Sequence, residues 1–452
     1  MFMKRAILGS VYHTPVLGSF ERLENALVVF DTETGLIDRV STPEQPDYSA
    51  QIQHFENIFC LEKLKNGQYL LPGMIDLHIH APQWPQAGKG LDLPLDQWLQ
   101  TYTFPLESRY QDIEFAKSIY PRLVNTYLSH GTTTAVYFAT VDVDASVYLA
   151  KECLKQGQRA FVGKVAMDEK SMCPDYYVDD DYQASIDLTE HFIQNVRALN
   201  GNDGLVEPIV TPRFVPTCSR EAMKGLGDLA QKYQCAVQTH ASESDWARDF
   251  SAKKYGKTDV ELYQEAGLLG PRTLLAHSIF LTQNDLDIVK HHGSSLAHCP
   301  LSNIFFANAA LPCRELLDNN IQLGLGSDVA ASPYPSLFRS CFDAVTHSRA
   351  RENGVDYHLS SEQRGTQDAR ITLLEAYWMA TVGGAKSLQL NTGIIHPGRL
   401  FDAVCIDSTH EEFNIFPELD SAQDIFEKII AYTDRNHIIK VWVNGQAVKQ
   451  SI

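Results

Sequence analysis

Residues 70–80 read Leu-Leu-Pro-Gly-Met-Ile-Asp-Leu-His-Ile-His, a short apolar run that ends in two histidines one residue apart. Its length and aliphatic content predict a buried strand. Residues i and i+2 of a strand face the same way, so the His78 and His80 imidazoles project side by side from its C-terminal end. Seven similar runs follow: GTTTAVYFA from 131, RAFVGKVAM from 159, VEPIVTPRF from 206, CAVQTH from 235, TLLAHS from 273, SSLAHCP from 294 and IQLGLGSD from 321. The stretches between them are long enough for helices. SREAMKGLGDLAQKYQ, for example, opens on Ser219 as an N-cap and carries Glu221 in its first turn, where the helix dipole favours a carboxylate. Parallel strands require crossover helices, so eight such units predict an α/β fold, a (β/α)8 TIM-like barrel over residues 71–390.

The two ends have a different pattern. Residues 1–70 hold alternating runs broken by turn signals such as Asn66-Gly67, and residues 391–452 hold GRLFDAVCIDS and HIIKVWVNGQAVKQSI with a turn at Asn444-Gly445. They predict a β-sandwich assembled from both termini and flanking the barrel. Composition narrows the function. With 38 basic and 56 acidic residues among 452, the net charge of −18 argues against a nucleic-acid partner, whose binding rests on Lys and Arg. A small neutral substrate fits better. No apolar run reaches the roughly 18 residues of a membrane span, and MFMKRAILGSVYHTP lacks the pattern of a signal peptide. Nine cysteines without a CxxC pair are expected to be reduced thiols of a cytoplasmic protein.

An HxH pair alone is a weak signal. It gains weight because His240 ends the fifth run, His277 the sixth and Asp328 the eighth, all at the barrel rim where such enzymes place their sites. Several imidazoles and one carboxylate suit zinc, with iron as an alternative, and a bound metal brings water to a pKa of about 7. Glu243, three residues beyond His240, is expected to shuttle the proton. His277 is assigned both roles open to it, metal ligand and hydrogen-bonding partner of the water. His298 is expected to orient its neighbours, and His291 and His292 to lie on a helix surface. Rival motifs fail. Tyr255-Gly256-Lys257-Thr258 has Ser251 where a phosphate loop needs its first glycine, and His410-Glu411-Glu412 is followed by no PCxxC.

HxH on strand one, His on strands five and six and Asp on strand eight together resemble the amidohydrolase superfamily, over nearly the whole chain. PGMIDLHIHAPQ, DLPLDQWLQTYTFPLE, HGTTTAVYFAT, RAFVGKVAMD, PIVTPRF and LGLGSDVA further resemble its guanine deaminase branch, close to the mononuclear triazine-hydrolase type. Strand four offers Arg213 where binuclear members carry a carboxylated lysine, and Lys164 lies on strand three instead, so the resemblance implies one metal per subunit. It implies that His78, His80, His240, His277 and Asp328 hold that metal. Gln83, Trp84, Arg213 and Phe214, with His240 and Glu243, would bind the base. The implied reaction is attack of water on ring carbon 2 of guanine, with Glu243, His277 and Asp328 as the catalytic groups, in a homodimer. The loop Pro82-Gln83-Trp84-Pro85 is stiffer than this family leads one to expect, which leaves the pocket's shape open. Two other readings stay open: a related deaminase acting on cytosine, a triazine or an adenosine-type nucleoside, and a non-catalytic scaffold that binds no metal.

Overall fold

The computed structural model describes residues 4–450; the outermost residues of both predicted terminal segments, 1–3 and 451–452, lie outside the described residues. All eight runs form strands: Met74–His80, Thr132–Phe138, Arg159–Gly163, Val206–Pro212, Ala236–Ala241, Thr273–His277, Ser295–His298 and Gln322–Leu325. They pair in parallel in that order. A short strand, Val165–Ala166, extends the third along the fourth. The ring closes just past strand eight, where Asp328 N–H donates to His78 O and His80 N–H donates to Val329 O, both at 2.9 Å. This closure brings Asp328 beside the histidines of strand one. It also requires a glycine: a Cβ on Gly326 would lie 2.7 Å from the Cβ of His78 and 3.1 Å from Cys299 Sγ.

The barrel interior is filled by aliphatic side chains such as Ile75, Leu77, Val136 and Leu274, while helices cover its outside. The helix Arg220–Tyr233 is capped as expected, Ser219 accepting from Ala222 N–H with Glu221 in the first turn. Strands from both ends share one mixed sheet. Gln68–Pro72 pairs antiparallel with Ala403–Asp407 and parallel with Lys4–His13, so the N- and C-terminal segments meet at its centre. Two helices lie within these mainly β segments, Tyr48–Asn57 and Ala422–Tyr432. Phe426 of the latter packs against Tyr12, Phe20 and Tyr377, which ties the terminal sheet to the barrel. A buried ion pair between Arg159 and Asp402 makes a second tie. No helix among the described residues is long and apolar enough to cross a membrane.

Candidate active site

Five strand-end side chains converge at the C-terminal rim. His80 Nε2 and His240 Nε2 stand 3.0 Å apart. Asp328 Oδ1 lies 3.4 Å from His78 Nε2 and 3.7 Å from His80 Nε2, and its Oδ2 lies 3.9 Å from His277 Nε2. Hydrogen bonds behind two of the rings set their tautomers. The Arg213 carbonyl accepts from His240 Nδ1 at 2.6 Å, and Asn303 Oδ1 accepts from His277 Nδ1 at 2.9 Å. With Nδ1 protonated, each Nε2 turns a lone pair towards the centre.

These donors fit a divalent metal. His78 Nε2 and His277 Nε2 are buried with no hydrogen-bond partner, and an orphaned buried nitrogen is costly unless an ion or water takes it. Burial pushes His78, His80 and His240 towards the neutral form that ligates. Burial works the other way on Asp328, but the imidazoles of His78, His277 and His80 prevail and hold its carboxyl well below the usual range. The anchoring residues are themselves strained: His277 and Asp328 adopt left-handed φ of 66° and 51°. Such non-glycine positions cost roughly 1–3 kcal/mol each and concentrate at functional sites.

A second group, His410, Glu412 and His437 on the terminal segment, shows the contrast. There Asp434 N–H donates to His437 Nδ1, so its Nε2 carries the hydrogen and is bonded to Glu412.

Above the histidines lies a narrow cavity walled by side chains from several strand ends and loops. Glu243 lines it, buried, with Oε1 3.6 Å from His277 Nε2, and burial raises its pKa above the carboxylate norm. It precedes the helix Asp245–Tyr255, whose N-cap is Ser244, and so stands outside the first helical turn. Arg213, Phe214 and Gln83 line the same cavity. Trp84 does not. Residues 81–86 form a 3₁₀ helix, in which successive side chains turn by about 120°, so Gln83 points inward while Trp84 lies under the Arg122 guanidinium, 5.8 Å away. Of the residues expected to bind the base, Trp84 is the one outside this cavity's wall.

Several site residues were not anticipated. Phe138, at the end of strand two, sets its ring 4.6–4.9 Å from those of His78, His80 and His240, an apolar wall behind the imidazoles. Cys299 also reaches the cluster, and burial keeps its thiol protonated. Glu107 forms a bidentate ion pair with Arg213, at 2.7 and 3.2 Å, and accepts from Gln83 Nε2 at 2.7 Å. A buried guanidinium requires such a partner, but nothing in the sequence says which acidic residue supplies it. His298 stands one layer further out, its Nδ1 accepting from Asn303 Nδ2 at 3.5 Å. Lys164 is remote from the cluster, paired with Asp179 at 2.6 Å, and His291 and His292 lie on the helix Gln283–His292.

A barrel with four histidines and an aspartate at these strand ends defines a metal-dependent hydrolase, and the chain belongs to the amidohydrolase family, whose model matches residues 69–448. Among its relatives is a guanine deaminase of Dictyostelium discoideum, 36% identical over 98% of this chain and 97% of its own length. A probable guanine deaminase of Schizosaccharomyces pombe is 35% identical over 98% of this chain and 82% of its own. The solved guanine deaminase of C. acetobutylicum with bound guanine superposes with a TM-score of 0.87 at 31% identity, covering 98% of this chain and all of that one.

Proposed function

We propose that this chain catalyses the hydrolytic deamination of guanine to xanthine and ammonia. The observation that carries the reading is the placement of a donor, Arg213, and an acceptor, Gln83 Oε1, in the cavity that opens on the His–Asp cluster. Zinc held by His78, His80, His240, His277 and Asp328 would lower the pKa of its water to about 7 and supply the nucleophile at neutral pH.

The chain's own residues do the rest. Arg213 and Gln83 grip the oxygen-bearing edge of the base, and Phe214 borders the ring. Glu243, protonated more readily because it is buried, gives its proton to ring nitrogen 3 as oxygen adds to ring carbon 2. Asp328, held ionised, accepts the proton lost by water. His277 hydrogen-bonds or ligates beside both carboxylates. The hydroxyl now on ring carbon 2 returns its proton to Glu243 and becomes a carbonyl as the carbon–nitrogen bond breaks and the 2-amino nitrogen takes the proton held by Asp328, so one water enters and one ammonia leaves.

Zinc is supported by the imidazole-rich donor set, a cytoplasmic location by nine cysteines that are all free thiols, and a homodimer by the resemblance to guanine deaminases. The division into 1–70, 71–390 and 391–452 is supported by the two sheets having separate strands. The test is metal analysis of the purified protein followed by ultraviolet monitoring of guanine conversion. Metal-loaded protein that leaves guanine untouched but turns over cytosine, a triazine or an adenosine-type nucleoside would refute it, and chelation should abolish the activity.

A further inference from the structure

Glu107 is a buried carboxylate behind the cavity wall, bonded to two of its residues, with no part in the chemistry just described. It is 1% exposed and takes three hydrogen bonds, two from Arg213 and one from Gln83 Nε2. An ionised carboxylate can only accept. Gln83 must therefore turn its NH₂ to Glu107, which leaves its carbonyl Oε1 buried at the cavity with no partner in the protein. The reverse orientation would set two acceptors face to face and aim a donor at the ligand. Arg213, meanwhile, gives two N–H groups to Glu107 and one to Met167 Sδ at 3.8 Å, which leaves two of its five. The wall thus presents a donor next to an acceptor.

We propose that Glu107 is a positioning residue that sets base specificity. By dictating which end of the Gln83 amide meets the ligand, it makes the cavity take the lactam edge of a 6-oxopurine, O=C–N–H, and refuse the 6-aminopurine edge, where donor and acceptor are exchanged. The inference rests on the guanine reading for which base is consumed, but edge selection is measurable by binding alone. Leaving a buried polar group unpaired, or setting like against like, costs enough to change affinity by about tenfold or more.

Hypoxanthine and adenine carry the two edges without the 2-amino group that reacts, so equilibrium titration of the metal-loaded protein with each gives a selectivity ratio. Wild type should favour hypoxanthine by at least about tenfold. In Glu107→Gln the amide oxygen stays on Arg213 and its NH₂ meets Gln83, whose own amide turns over, so the ratio should fall by about tenfold. Glu107→Asp keeps the charge that Arg213 needs for folding but withdraws from Gln83, and should lower the ratio as well. Gln83→Leu should keep only the preference that Arg213 supplies, and adding Glu107→Gln to it should change the ratio less than about twofold, because position 107 acts through position 83. A purely structural role would weaken both bases together. An unchanged ratio in Glu107→Gln and Glu107→Asp, or additive effects in the double variant, would overturn the proposal. Guanine turnover is followed alongside: selectivity without turnover refutes the deaminase reading alone, and turnover without selectivity refutes this inference alone.

Discussion

Glu243→Gln separates proton transfer from every other role of that residue. The replacement has nearly the same volume, so the cavity wall and the donor cluster should persist. What it cannot do is release a proton to ring nitrogen 3. General acid–base groups contribute about 10²–10⁴ in rate, or roughly 3–5 kcal/mol of barrier, so kcat should fall by that factor with metal content unchanged. Stability should respond in the opposite sense. Burial raises the folded pKa of Glu243, so the stability linked to it is fully present below the ordinary glutamate pKa and is lost as pH rises through the raised value. At neutral pH the metal-stripped wild type carries that penalty and the glutamine variant does not. Its denaturation midpoint at pH 7 should therefore equal or exceed that of wild type, with the gap closing in acid. Steady-state kinetics, metal analysis and denaturant titration of the two stripped proteins check the three parts. Activity within threefold of wild type would refute the proton-transfer role, and loss of metal would instead make Glu243 a ligand.

Three further outcomes follow from the site's surroundings. Asn303→Leu removes the acceptor that fixes the His277 tautomer, and metal affinity should drop by about 10–100-fold in a competitive chelator titration. Gly326→Ala places a methyl group 2.7 Å from the His78 Cβ, so denaturation should show a loss of about 1–3 kcal/mol together with weaker metal binding. His298, whose pKa burial lowers to about 3, refuses in the folded state the proton that the unfolded chain takes up near 6.5. Its contribution is present above that value and is lost as pH falls, by about 2 kcal/mol between pH 7 and 5, so His298→Gln should flatten that slope in denaturant titrations.

The barrel was legible because its signals are local and repeated. Each strand is a run of apolar residues with no competing helical period, and the chemistry-bearing residues stand at the ends of those runs. The HxH pair needed only the two-residue period of a strand to place both imidazoles on one face. Trp84 stands apart from the cavity because it shares the loop with Gln83 but not the direction: a 3₁₀ turn separates adjacent side chains, and no periodicity announces one in six residues containing two prolines. The helix Ala422–Tyr432 was overlooked among strands, and its capping box, Ser421 with Asp424, was the available sign. Glu107, Phe138 and Asn303 belong to a different category. Their roles come from tertiary contacts that span 24 to 106 residues for Glu107, and one sequence carries no record of such pairings.

The cavity wall has two electrostatic halves, and their separation explains why both can be buried. On one side the ionised Asp328 is opposed by imidazoles that burial keeps neutral and that a divalent cation would complete. On the other, the Arg213 charge is opposed at 2.7 Å by Glu107. The Arg213–Glu107 half carries no net charge, which agrees with a neutral base as substrate, and the chain's excess of acidic residues offers nothing to a phosphate backbone. Glu243 stands at the boundary, next to His277, with no ion-pair partner of its own closer than 3.6 Å. A carboxyl group so placed holds or gives up its proton according to what binds beside it. The residue best able to exchange a proton with the ligand is therefore the one that both halves leave unpaired.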